Sequence, residues 1–243
     1  MEDQPKPFLD HIEELRRRLI KSIAAVAAGA VLSYQSVDAL LSILAKPVGT
    51  FIFLEPTEAL FVRLKVALVG GILLALPIVC LQLWKFVAVA LRPEEKISFY
   101  WIFPVSYALF LLGFAFGFFV LVPKGIQFLL SYRSDVLQPT LSIDYYINFV
   151  GVICLVLGAV FEMPLAAFIA AKLGMLEPSA LAAKRRIAVL VSYVAGAFLT
   201  PGPDPVTAAM LAVPIYVLYE CSILAARFGA KKPVAPIVRS DLI

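Results

Sequence analysis

The chain alternates long uncharged apolar runs with short charged segments. Runs free of Asp, Glu, Lys, Arg and His cover residues 22–37, 66–84, 97–123, 145–161, 187–203 and 205–219. Glu162 interrupts the fourth, which resumes over 163–171, and Glu220 interrupts the sixth, which continues to Ala226. A helix needs about 20 apolar residues to cross a bilayer. The pattern therefore predicts an all-α membrane protein with six transmembrane helices, over roughly 19–37, 64–90, 97–123, 145–171, 187–201 and 205–226. The last two spans are short, with the turn sequence Thr200-Pro-Gly-Pro-Asp-Pro205 between them. Such helices thin the bilayer locally or sit shielded inside the bundle. No internal repeat or domain boundary is visible, so residues 1–243 read as a single membrane domain, with 229–243 a flexible cytoplasmic tail.

Two amphipathic pieces flank the first span. Phe8, Ile12, Leu15 and Leu19 form one helical stripe. This piece is expected to lie on the cytoplasmic surface and run into span one. Val37, Leu40, Leu41 and Leu44 form a second stripe, ended by Pro47 and expected on the outer surface. The longest outer loops are 35–65 and 124–144. Pro77, Pro104, Pro164 and Pro214 fall inside spans and bend them. Such bends either stay local or curve the whole bundle, and the expected architecture is a concave, kinked bundle.

Composition sharpens this picture. The chain is 62% hydrophobic and 16% charged, with a mean hydropathy of +0.93. Ordinary soluble domains carry about a quarter charged residues. These values exclude a disordered protein, a nucleic-acid binder and an ordinary cytosolic enzyme. Charge placement sets orientation. With six spans, 16 of the 21 Lys and Arg residues fall on the side that holds both termini. The positive-inside rule makes that side the cytoplasm. The N-terminus lacks the marks of a cleavable signal: its polar head holds acids, and no small-residue cleavage site follows. Cys80, Cys154 and Cys221 each lie in an apolar stretch and read as buried, reduced thiols.

No catalytic set appears. The one histidine, His11, lies outside the bilayer, and no phosphate loop or metal-ligand spacing exists. No cofactor is expected. What remains is a small set of acids. Glu162 sits in span four, where a carboxylate costs about 2.5–3.5 kcal/mol unless neutral, paired or facing water. It reads either as a polar docking point or proton-linked site facing a cavity, or as a protonated carboxyl hydrogen-bonded to another helix. Pro164 frees the Val160 carbonyl upstream, a region the Glu162 carboxyl can serve. Glu220 is expected to snorkel or pair with Arg227. On the N-terminal helix, Glu13 with Arg17 and Glu14 with Arg18 stand four apart, a weakly stabilising spacing. Glu14 lies off the apolar stripe, free to face solvent or a ligand. A second acidic spot is Pro93-Glu94-Glu95 after span two. Two acidic spots on a basic face suit a cationic ligand, because guanidinium and carboxylate match as bidentate partners.

These residues carry a family resemblance. His11-Ile12-Glu13-Glu14-Leu15-Arg16 resembles the amino-terminal motif of TatC, the multispanning subunit of the twin-arginine protein translocase. Trp84-Lys85-Phe86 with Ala90-Leu91 and Glu95 resembles its first cytoplasmic loop. Phe161-Glu162-Met163-Pro164 resembles its fourth span, and Leu199-Thr200-Pro201 with Asp204 its last outer turn. The likeness runs from about Phe8 to about Phe228. One departure is Val89, which stands where the family pattern has a proline, with Pro93 following later.

The resemblance implies a receptor and translocase core in the bacterial inner membrane, not an enzyme. It would bind signal peptides with paired arginines on folded cargo and assemble with the single-span subunits TatA and TatB. It would also associate with other copies of itself, with export driven by the proton-motive force. The signal-peptide site would comprise Glu14, Glu95, Arg16, Phe86 and Leu15. Partner helices would meet a polar cluster at Glu162, Met163, Pro164 and Asp204. The competing reading is a small proton-coupled solute transporter using Glu162. It lacks the companion charges and inverted repeat that such transporters use.

Overall fold

The computed structural model describes residues 7–46, 51–52, 54–89, 99–131, 142–200 and 205–230. These residues are mostly helical, and among them the only β pairing is an isolated bridge between Ile52 and Ser142. The helices are α1 (Pro7–Tyr34), α2 (Val37–Ala45), α3 (Glu58–Val89), α4 (Phe99–Phe116), α5 (Val122–Leu130), α6 (Ile143–Phe161), α7 (Met163–Lys172), α8 (Pro178–Ala183), α9 (Arg185–Leu199) and α10 (Pro205–Gly229). Four stretches are long and apolar enough to cross a membrane: Glu58–Val87, Trp101–Phe128, Ile143–Lys172 and Pro205–Gly229. A fifth arises if α1 and α2, bent by 78° at their junction, count together.

Some expectations hold and others change. The N-terminal stripe runs on into the first apolar stretch as expected, since α1 is unbroken from Pro7 to Tyr34. Its Ile12, Leu15 and Leu19 are all exposed. By contrast, α2 forms as expected and packs Val37, Leu40, Leu41 and Leu44 onto the core. The third span does not end at 123. A π-helical turn, Gly117–Leu121, carries the helix into α5. The ring of Pro123 excludes the carbonyl four residues back from regular bonding, and a wider turn absorbs that defect. The sixth span is not short, since α10 has 25 residues with Pro214 inside it. α9 is short, 15 residues, or about 22 Å at 1.5 Å per residue.

Pro77 and Pro104 also lie within continuous helices, whereas Pro164 follows a break at Glu162 that separates α6 from α7. Cys80 and Cys154 are buried as expected, but Cys221 is exposed, on the outward side of α10. Just past the end of α7 stands Gly174, whose φ of +74° suits a residue without Cβ. The Met175 amide reaches back to Ala170 O at 2.9 Å and closes that end.

α1 and α3 run antiparallel with their backbones almost touching. A Cβ on Gly29 would lie 2.6 Å from Gly71 O, and one on Gly71 would lie 2.3 Å from Ala30 N. Small residues allow this approach, which in lipid replaces hydrophobic burial as the source of helix association. The main core, including Ile153, Cys154, Leu157 and Leu211, lies where α3, α5, α6 and α10 meet. A second core, with Leu76, Cys80, Trp84 and Ile169, joins α3, α4 and α7. His11 lies beside Phe86, Cys80 beside Ser106, and Phe168 beside Gly229. The start of α1 and the end of α10 therefore share one end of the bundle.

Candidate functional site

At that shared end, α1 and α3 bring together residues distant in sequence. The rings of His11 and Phe86 stack with centroids 4.4 Å apart and planes 25° apart. Residues 11, 14 and 18 recur at helical spacing, so Glu14 and Arg18 lie toward the side of α1 that carries this stack. Arg18 Nε donates to Glu14 Oε1 at 3.1 Å, and its Nη2 donates to the same oxygen. Glu13 and Arg17 are exposed, and no ion pair joins them among the described residues. Of the two expected helical pairs, only the one against α3 is made. Leu15 and Arg16 are exposed beside this group. Glu95 lies outside the described residues, as do Pro93 and Glu94.

Mid-bundle, Glu162 does not serve the Val160 region. Ser106 Oγ on α4 donates to Glu162 Oε1 at 2.9 Å and also approaches Cys80 Sγ at 3.8 Å. The chain breaks at Glu162 because Pro164 cannot continue the hydrogen-bond ladder; the Glu162 amide turns back to Ala159 O at 3.1 Å. Glu162 Oε2 is buried without a hydrogen-bond partner, as is Trp84 Nε1 on the same core. Met163 is 36% exposed and Pro164 half-buried. Asp204 lies outside the described residues.

Glu220 does not pair with Arg227. It takes Arg185, at the start of α9, at 2.8 Å, and Tyr216 Oη donates to it at 2.8 Å. Tyr219 Oη donates to Leu181 O, tying α10 to α8.

The opposite end holds a cluster that the sequence reading missed. Glu58, in the first turn of α3, accepts hydrogen bonds from Ser142 Oγ, from the Asp144 amide at 2.9 Å and from the Leu54 amide at 2.5 Å. Lys65 Nζ meets Asp144 at 2.6 Å. This acid fastens the starts of α3 and α6 together, and α6 carries Glu162 at its far end. The available signal was two acids, Glu58 and Asp144, each in the first turn of a helix.

No described group of His, Cys, Asp or Glu residues is arranged to hold a metal ion. The arrangement is one of binding: an acid beside an aromatic stack at one end, and a carboxyl held between helices in the middle.

A family model described as Sec-independent protein translocase protein (TatC) matches residues 10–214. The TatC protein of Carboxydothermus hydrogenoformans is 38% identical, over 94% of this chain and 96% of its own. That of Aquifex aeolicus is 34% identical, over 93% and 97%. A crystal structure titled twin arginine translocase receptor TatC superposes with a TM-score of 0.83 at 34% identity, covering 90% of this chain and 99% of that one. These likenesses span nearly the whole chain and leave the solute-transporter reading without support. The chain belongs to the TatC family, and it is a membrane-spanning component of a protein translocase rather than an enzyme.

Proposed function

We propose that this protein receives signal peptides carrying paired arginines at its cytoplasmic face. Glu14 and Glu95 offer the carboxylates, Phe86 shapes the site, and Leu15 and Arg16 flank it. The observation that carries this reading is the meeting of α1 and α3 at the His11–Phe86 stack, with Glu14 beside it. An arginine fork matches a carboxylate in a way lysine does not. Glu162, Met163, Pro164 and Asp204 contact single-span partners of the TatA and TatB type, and copies of the chain associate in a receptor complex. Transport draws on the proton-motive force.

The chain is a single membrane domain that crosses the bacterial inner membrane six times, with α9 as the fifth span. Its concave, kinked bundle keeps both termini in the cytoplasm. The segregation of Lys and Arg supports this orientation.

Site-specific photocrosslinking from positions beside Glu14 and Glu95 to a synthetic twin-arginine signal peptide tests the site. Glu14→Ala combined with Glu95→Ala abolishes the crosslink while the protein still inserts. Normal crosslinking in the double variant would place the site elsewhere.

A further inference from the structure

Arg18 already occupies the carboxylate that the proposed site offers to a peptide arginine. Both side chains are only 19% exposed, whereas Glu13, Arg16 and Arg17 stand exposed on the same helix. Self-pairing is thus not general along this charged run. It is confined to the side of α1 where His11 stacks on Phe86. A carboxylate's preference for a guanidinium does not depend on whose guanidinium it is.

We infer that Arg18 is an intramolecular competitor for Glu14 and sets the affinity threshold that an incoming arginine must exceed. The inference rests on the signal-peptide reading above. Exchanging one guanidinium for another at Glu14 gains no net ion pair. A peptide arginine therefore displaces Arg18 only when it brings a further interaction. In a paired-arginine segment the second guanidinium supplies one; a segment with one arginine has none to add. In binding terms, Arg18 reduces the fraction of receptor whose Glu14 is free. It raises the apparent Kd of every ligand that needs Glu14 by the same factor. Weak ligands then fall out of the useful range while a two-arginine ligand stays within it.

The test uses the full-length protein in lipid nanodiscs and a fluorescent synthetic signal peptide, with either Arg-Arg or Lys-Arg at its head, at near-physiological salt. Arg18→Gln lowers the Kd of both peptides by about threefold, the scale of losing one helical ion pair. Arg17→Gln removes the same charge from an exposed position and leaves both values unchanged. Arg18→Lys keeps the charge but loses the fork, and tightens binding by less than Arg18→Gln. On a Glu14→Gln background, Arg18→Gln does not restore binding, because the two residues act through one contact. If Glu14→Gln abolishes binding but neither Arg18 variant tightens it, the competitor role is overturned and the receptor site stands. Equal tightening by Arg17→Gln also overturns it, as a general charge effect. If Glu14→Gln binds the Arg-Arg peptide normally, the receptor site itself falls.

Discussion

Glu162 keeps its carboxyl inside the protein, with one oxygen on Ser106 and the other unpartnered. An amide oxygen accepts the same hydrogen bond from Ser106. Glu162→Gln is therefore expected to be tolerated better than Glu162→Ala, which leaves the Ser106 hydroxyl short of a partner at about 1–3 kcal/mol. Thermal midpoints in detergent, alongside export of a twin-arginine cargo in cells, separate the two. Equal loss of export in both variants would point instead to a titrating charge. At this scale the sequence was informative about which residues matter and poor at naming their partners. Glu162 stood out because charge is costly in lipid. Ser106 and Cys80 did not, because small polar residues occur along many spans. Likewise Glu220 was visible, but its partner Arg185 lies on another helix rather than one turn away.

Among the elements, the α1–α3 pair sets the geometry of the shared end. Its two glycines admit backbone contact, which holds His11 against Phe86 many residues away along both helices. Gly71→Ala would drive a methyl to 2.3 Å from the Ala30 amide nitrogen, so the helices must part. The expected cost is about 2–4 kcal/mol, seen as a lowered thermal midpoint, together with weaker peptide binding. An unchanged midpoint would mean that the seam yields easily. Helix existence was legible from uncharged runs, since lipid demands internally bonded backbone. Helix ends were less so. The run over residues 97–123 stopped at a charge, Lys124, but the helix continues to Leu130. Lysine ends a hydrophobic pattern without ending a hydrogen-bond ladder.

For the whole molecule, both ends of the described chain lie at one end of the bundle, and most of the described basic residues, among them Arg16, Arg17, Arg18, Lys85, Lys172 and Arg227, fall toward that end. Single cysteines introduced at Lys232 and at Lys46 in a cysteine-free variant test the assignment. A membrane-impermeant maleimide added outside the cell labels the Lys46 position, and the Lys232 position reacts only after lysis. The reverse result would invert the topology. Of the four prolines behind the expected kinks, only Pro164 adjoins a break, at Glu162; Pro77, Pro104 and Pro214 lie inside continuous helices, and the π-helical turn precedes a different proline, Pro123.

The sequence by itself determined the solvent, the helical class and the acids that stand out against a basic rim. Each follows from a strong single-residue cost: charge in lipid, proline in a helix, or basic residues held on one face. Only the tertiary structure decided which of those acids find partners. The Glu14–Arg18 pair was legible as a spacing along one helix, but Glu162 took Ser106 and Glu220 took Arg185, and Glu58, unremarked in the sequence, gathered donors from the start of α6. Those pairings depend on helices approaching within a hydrogen bond of one another. That distance is set by packed small residues, and no run of apolar letters encodes it.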